Sequence, residues 1–260
     1  CARTVRWREI DAIFPERPER LTWEQREQFL HSRQNIIEDN EIHHPMQILG
    51  DGNFIYVSGT GGGNWVHRNL LHDADTPSIN AAIRCDDDQH DTLISENIIW
   101  RCCGEGVIIK GRNTVRNNVL ADLRAASTTG IPSRHQRGFL VLPYYDETTA
   151  GVIERNIIYS TDPQIKLLTE GTGPRPFYLR DCRADYNLYF CTEDPHWAEQ
   201  HLATQRQYGV EQHSLSADPL FVAPEAGDFR LQPDSPALKL GFQPIDQTQI
   251  GLRGSPPAQH

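Results

Sequence analysis

Ile94-Ser95-Glu96-Asn97-Ile98-Ile99 decides how this chain is read. An aliphatic residue, two polar positions, an Asn and a second aliphatic run recur at Val115-x-x-Asn118 and Ile153-x-x-Asn156. The same outline appears at Ile37-x-x-Asn40, Val66-x-x-Asn69 and, with a small first residue, Ala184-x-x-Asn187. Successive Asn positions lie 29, 28, 21, 38 and 31 residues apart. A fixed element separated by insertions of variable length is the mark of a solenoid with loops of different size.

Between the Asn positions lie short apolar runs bounded by Gly, Pro, Asp or Asn, as strands require. They span Asn53 to Gly59, Asn80 to Asp86, Glu105 to Gly111, Arg137 to Pro143 and Arg175 to Asp181. No helix of crossover length separates them, which disfavours a doubly wound α/β fold. An all-β coil of successive parallel strands remains. Stacked Asn side chains satisfy one another's amides at an inner turn, which explains the recurring residue.

Two segments break the pattern. Thr22-Trp23-Glu24-Gln25 reads as a capping box opening a helix to about Arg33. Asp194-Pro195 reads as an N-cap and first helical residue opening a helix to about Tyr208. The Pro-, Asp- and Gly-rich stretch from Ser214 to Gly251 suits a last coil plus a tail.

Composition narrows the function. The 260 residues are enough for one sizeable domain, and no run approaches the ~20 apolar residues of a membrane span. A net charge of −10 argues against nucleic acid, which needs a basic face. The six cysteines lack paired zinc-ligand spacing and allow at most an isolated disulfide. The chain starts at Cys1, which reads as a processed or truncated product, and no signal peptide is visible.

The coil pattern, with His43-His44, Gly50-Asp51-Gly52-Asn53 and the tail motifs Asp218-Pro219-Leu220-Phe221-Val222, Gly227-Asp228-Phe229-Arg230-Leu231 and Pro233-Asp234-Ser235-Pro236, resembles the pectate-lyase-like superfamily. That resemblance implies a right-handed parallel β-helix solenoid with short capping helices. It also implies a polysaccharide or oligosaccharide partner and an extracellular or periplasmic setting. The implied organisation is an N-terminal extension with a capping helix at 1–34, a β-helix at 35–251 with a helical insertion at about 194–209, and a tail at 252–260. A preceding segment of a longer coil is expected to be missing.

Aligning the strands by their Gly and aliphatic positions gives one column of Asn53, Asn80, Glu105, Arg137 and Arg175. A second column holds Ser58, Cys85, Lys110, Leu142 and Arg180. A slip of one residue turns every side chain to the other face. Asp86-Asp87-Asp88-Gln89-His90 follows a strand end, with Glu105 on the next coil. Two carboxylates one coil apart suit a glycoside hydrolase, which needs no cofactor. The plain alternative is a solvated acidic loop or a structural calcium site.

A second chemistry rests on Glu105 and Lys110. By resemblance to β-helix alginate and chondroitin lyases, Asn80 and Glu105 bind calcium and Lys110 abstracts the C5 proton of a uronate. Leu142 stands where those lyases carry an Arg, leaving Arg134, His135 or Arg137 as substitutes. An ordinary paired lysine is the alternative for Lys110. Asp51, His90, Arg137, Tyr144 and Tyr145 are candidate substrate contacts, as are His43, His44, His72 and Asp73.

Trp65, Trp100 and Tyr178 are further sugar-stacking candidates, although Trp100 suits packing within the coil. The run Gly59-Thr60-Gly61-Gly62-Gly63 lacks the Lys-Ser/Thr of a phosphate loop and reads as a turn. Three functions follow: a hydrolase using an Asp/Glu pair on adjacent coils, a calcium-assisted lyase, or a glycan-binding β-helix that does not cleave.

Overall fold

A computed structural model describes residues 7–16, 22–48, 51–75, 79–87, 89–124, 138–143, 151–171 and 176–252. Each recurring motif forms two strands joined by a two-residue corner. Four of these strand pairs are Asn64–His67 with Leu70–Ala74, Thr92–Ser95 with Ile98–Cys102, Thr114–Arg116 with Val119–Ala121, and Val152–Glu154 with Ile157–Ser160. The pairs Ile36–Glu38 with Glu41–His43 and Arg183–Asp185 with Leu188–Cys191 stand at the two ends. The residue before each motif Asn takes a left-handed conformation, with φ between 51 and 60° at Asp39, Arg68, Glu96, Asn117, Arg155 and Tyr186.

A third strand completes each coil: Gly52–Ser58, Ile79–Asp86, Glu105–Ile109, Leu140–Leu142 and Leu168–Glu170. Strands stack in parallel into three sheets of six, seven and five strands, a β-solenoid of about five turns.

The Asn side chains form a continuous ladder. Asn40 donates to Asn69 at 2.9 Å, Asn69 to Asn97 at 2.9 Å and Asn97 to Asn118 at 3.0 Å. Asn118 then donates to Asn156 at 2.9 Å and Asn156 to Asn187 at 3.0 Å. Each rung's second amide hydrogen reaches a backbone carbonyl, as from Asn97 to Val66 and from Asn118 to Ile94. Interior amides cost free energy unless paired, so the ladder lets a polar row occupy a dry corner. It ends on Glu211, whose Oε1 accepts from Asn187 at 3.0 Å and from the Tyr189 hydroxyl at 3.1 Å.

Inside, like residues stack in rows. Val66, Ile94, Val115, Ile153 and Ala184 are paired partners on the first sheet. Leu71, Ile99, Leu120, Ile158 and Tyr189 are partners on the second. All are buried in one core with Val57, Cys85, Ile109 and Leu142 of the third. Each such aliphatic side chain contributes roughly 1.5–3 kcal/mol.

The second sheet is also apolar outside, and the C-terminal segment covers it. Ile98, Trp100, Val119, Ile157, Tyr159 and Leu188 pack against Phe221, Phe229, Leu240 and Phe242. After Leu215–Ser216 the chain leaves the coil through an antiparallel hairpin, Phe221–Ala223 with Asp228–Leu231. It then runs back toward the first coil. Gln243 exchanges two hydrogen bonds with Asn117, and the Gly251 N–H reaches the Asp39 carbonyl. The expected last coil is therefore a two-residue strand, and the rest is a strap.

The helices differ from expectation in length. The Thr22 capping box forms, but its helix is only Trp23–Glu27, because the chain must turn to enter the first coil. Arg33 closes that turn with an ion pair to Glu27 at 2.7 Å. Asp194 caps a turn by accepting from the His196 N–H at 3.0 Å, and the helix itself is Glu199–Gln207. In the described part of the expected strand from Arg175 to Asp181 there is instead a short 3-10 turn at Leu179–Asp181, and Leu168–Glu170 takes the strand's place. Among the described residues no helix is long and apolar enough to cross a membrane.

Candidate functional site

Register on the third sheet decides what meets what. Gly52 pairs with Ile79, but Asn53 pairs with Ala81, so Asn80 is an extra residue, a β-bulge. The bulge shifts the whole strand by one position. Ser58 lies beside Asp86 rather than Cys85, and Cys85 lies beside Ile109. Leu140 pairs with Val107 and Val141 with Ile108, which sets Leu142 beside Ile109 and not beside Lys110. Of the expected columns, Asn53 and Glu105 remain level, with Ala81 between them in place of Asn80.

On the next strand the pairing of Cys85 with Ile109 sets Asp86 against Lys110. Lys110 Nζ forms an ion pair with Asp86 Oδ1. Arg84 Nη2 binds Oδ2 at 2.6 Å, and the Tyr56 hydroxyl donates to the same oxygen at 3.0 Å. Asp86 and Lys110 are buried, at 5% and 7% exposure. Burial by itself raises the Asp86 carboxyl. The Lys110 hydrogen bond, the Asp87 N–H and the charges of Arg84 and Lys110 outweigh it, holding the group ionised below its ordinary range. Burial, with the Asp86 hydrogen bond and charge and against a lowering contribution from Ser58, raises the half-exposed Tyr56 phenol, so it stays protonated. Asp87 is exposed and accepts from the Ser58 hydroxyl at 2.6 Å. Tyr56 and Ser58, two apart on one strand, thus hold two neighbouring carboxylates on one outer face.

Glu105 does not join them. It is level with Ala81, five residues before Asp86, about 16 Å away along the strand. The Asp86–Glu105 pairing expected across adjacent coils is therefore not formed. Glu105 is fully buried. Asn80, at the bulge, donates to Asp51 Oδ1 at 2.6 Å. Asp51 thus holds a neighbouring side chain. Among the described residues no group of three or more His, Cys, Asp or Glu side chains gathers to hold a metal ion.

His90 is not a substrate contact. It is wholly buried, with its ring stacked on Trp23 at 4.7 Å and 8°. Burial, with the nearby Arg112 charge, lowers its pKa to about 4. The capping box marked the helix that carries Trp23, but nothing in the sequence placed that helix over His90. Asp88, Arg134, His135, Arg137, Tyr144, Tyr145 and Arg175 lie outside the described residues.

Trp100 is buried in the outer apolar cluster, with the Arg101 guanidinium 3.8 Å over its ring. Trp65 is 47% exposed on the first sheet, away from Asp86. Tyr178 lies under Arg180 at 4.1 Å. His72 bridges two carboxylates, Asp73 at 2.7 Å and Glu41 at 3.2 Å, and its ring lies 5.5 Å from that of His43. Cys85, Cys102, Cys103, Cys182 and Cys191 are buried free thiols, so the disulfide that the sequence allows is absent among the described residues. Arg84 and Tyr56 went unnoticed in the sequence because nothing marks a strand's outward residues as neighbours until the register is known.

A family model described as "Right handed beta helix region" matches residues 28–172, more than half of the chain. No curated protein and no solved structure matches.

Proposed function

The chain belongs to the right-handed β-helix family, and on that premise we propose that it hydrolyses glycosidic bonds on the outer face of its third sheet. The fold is one that polysaccharide-degrading enzymes use. The observation that supports the reading is the pair Asp86 and Asp87, on one face in unlike surroundings. Asp86 is buried and ionised, while Asp87 is exposed beside Ser58. An exposed carboxylate beside a fixed one is able to take a proton from an attacking water, the base half of glycoside hydrolysis. Asp87 is the group that meets the glycan and takes the proton of the attacking water. Asp86 supplies a fixed negative charge and, through Arg84, Lys110 and Tyr56, a rigid floor.

Elimination by Lys110 gains less support. A lysine base must be neutral, and the Asp86 carboxylate favours its ammonium form. Calcium takes about six to eight oxygen ligands. Asn80 and Glu105 are two donors, short of that number. Binding without cleavage is the second reading, favoured because both Asp86 oxygens are already engaged by protein partners. The expected setting is extracellular or periplasmic.

The test is a panel of neutral and acidic polysaccharides, read together for reducing ends and for the ultraviolet absorbance of unsaturated uronates. Reducing ends without absorbance, lost in Asp87→Asn, support hydrolysis. Absorbance lost in Lys110→Ala replaces it with elimination. Retention of a glycan with neither signal leaves the binding reading.

A further inference from the structure

His43 and His44 are neighbours in sequence, and a continuing strand would point them to opposite sides. They converge instead. His43 ends the strand Glu41–His43 and faces outward, since Ile42 turns toward the core. His44 follows with a φ of 49°, a left-handed step that swings its ring back beside that of His43. The two Nδ1 atoms lie 2.9 Å apart, with the rings at 89°.

The same step recurs on the next two coils. Asp73 follows His72 with a φ of 53°, and its Oδ2 meets His72 Nδ1 at 2.7 Å. Arg101 follows Trp100 with a φ of 51°, and its guanidinium lies 3.8 Å over the indole. The backbone of the coil therefore builds the convergence, and on the first coil it joins two nitrogen donors. His43 is held level with His72 by strand pairing, and the His44 N–H reaches the Asp73 carbonyl at 3.2 Å.

The neighbouring charges are committed elsewhere. His72 lies between Asp73 and Glu41, Asp73 also binds Arg101 at 2.6 Å, and Arg124 is paired with Asp122 at 3.9 Å. Among the described residues the His43 and His44 rings have no hydrogen-bond partner but each other, and both residues are exposed. Two imidazole nitrogens that face each other share either a hydrogen or a cation. Metal–imidazole bonds are about 2.0–2.1 Å long, so nitrogens 2.9 Å apart subtend about 90° at a shared ion. A tetrahedral ion would open the pair to about 3.3 Å. A right angle between adjacent ligands is the geometry of tetragonal Cu(II) or Ni(II).

We propose that His43 and His44 form a two-nitrogen chelate for a tetragonal divalent transition metal, with Cu(II) bound most tightly. No third His, Cys, Asp or Glu completes the set among the described residues, so water fills the other positions. His44 lines a cavity of about 310 Å³, which gives that water room. The net charge of −10 draws cations to the surface. The pair lies on the second sheet, and the proposal does not depend on the hydrolase reading.

The test is titration of the full chain with copper(II) chloride at about pH 7.5, where free imidazole is mostly neutral. Calorimetry with glycine as competitor gives affinity, and electron paramagnetic resonance counts the nitrogen ligands. About one equivalent is expected to bind through two imidazole nitrogens, more tightly than zinc(II) by at least about tenfold. His43→Gln and His44→Gln are each expected to weaken binding at least about tenfold and to remove one nitrogen from the spectrum. Unchanged urea midpoints show that these exposed variants fold. His213→Gln removes an imidazole that is 62% exposed beside Asp185, with no second imidazole, and is expected to change neither readout. Copper binding that survives both substitutions overturns the proposal, as does zinc bound as tightly as copper. Absence of copper binding overturns it too and leaves the pair as a hydrogen bond.

Discussion

Asp86 and Lys110 face each other across adjacent coils of the third sheet, and each is the other's buried counter-ion. They meet because Ala81 is level with Glu105 and Cys85 with Ile109, which sets Asp86 beside Lys110. Removing one partner leaves a charge in a dry place. Lys110→Met is expected to cost about 3 kcal/mol, the lower end for breaking a buried pair, since Arg84 stays on the carboxylate. The folded Asp86 carboxyl is depressed, so its contribution is present above its unfolded pKa and lost as pH falls through the folded one. Urea titrations at pH 7 and pH 3 measure both effects. An unchanged midpoint at pH 7 would sink the ion-pair account.

The Asn ladder predicts a gradient of sensitivity along the coil. Asn118 is fully buried, donates to Ile94, Arg116 and Asn156, and accepts from Asn97. Asn118→Ala orphans several buried groups, each costing about 1–3 kcal/mol. A loss of at least about 3 kcal/mol is expected. Asn40 stands exposed at the open end, and Asn40→Ala is expected to cost about 1 kcal/mol. Equal losses in thermal or urea unfolding would mean that the ladder does not carry the corner.

Glu211 makes the far end of the ladder pH-sensitive. Burial raises its carboxyl to about 7, against hydrogen bonds from Ser214, Asn187 and Tyr189 that lower it. A raised carboxyl binds its proton more tightly when folded. Its stabilising contribution is therefore full below the unfolded value of 4.5 and is lost as pH rises through about 7. The shift corresponds to about 3 kcal/mol. Glu211→Gln keeps an acceptor for Asn187 and is expected to gain on the wild type by that amount between pH 4.5 and 8. Parallel stability curves for the two proteins would refute this.

Trp23 shields His90. Burial lowers His90 to about 4, so its neutral form contributes stability above 6.5 that is lost as pH falls through 4. Trp23→Ala uncovers the ring and is expected to return its titration toward 6.5, followed by its imidazole proton resonances. It should also cost about 3 kcal/mol through lost packing. A His90 that still titrates near 4 would show that the stacked indole is not what buries it.

The coil and its corner were legible because each turn repeats the same requirement. An interior Asn must find another Asn one coil away, and that demand recurs in the chain as a visible pattern from Asn40 to Asn187. The capping box at Thr22 was legible too, being local. The burial of His90 was not, because it depends on a helix far away in sequence arriving over the coil. The strap was hidden for the same reason: Phe229 and Phe242 read as tail residues until the apolar outer face of the second sheet is known.

By itself the sequence determined a parallel coil with an amide ladder, since periodic residues must satisfy one another whatever the loops between them do. The tertiary structure alone decided which acid meets Lys110. Loops of unequal length and one bulged residue at Asn80 set the register, and a single-residue shift exchanges the inward and outward side chains of a strand. Ala81 rather than Asn80 lies level with Glu105, which joins Asp86 to Lys110 and leaves Glu105 level with a position five residues upstream of Asp86.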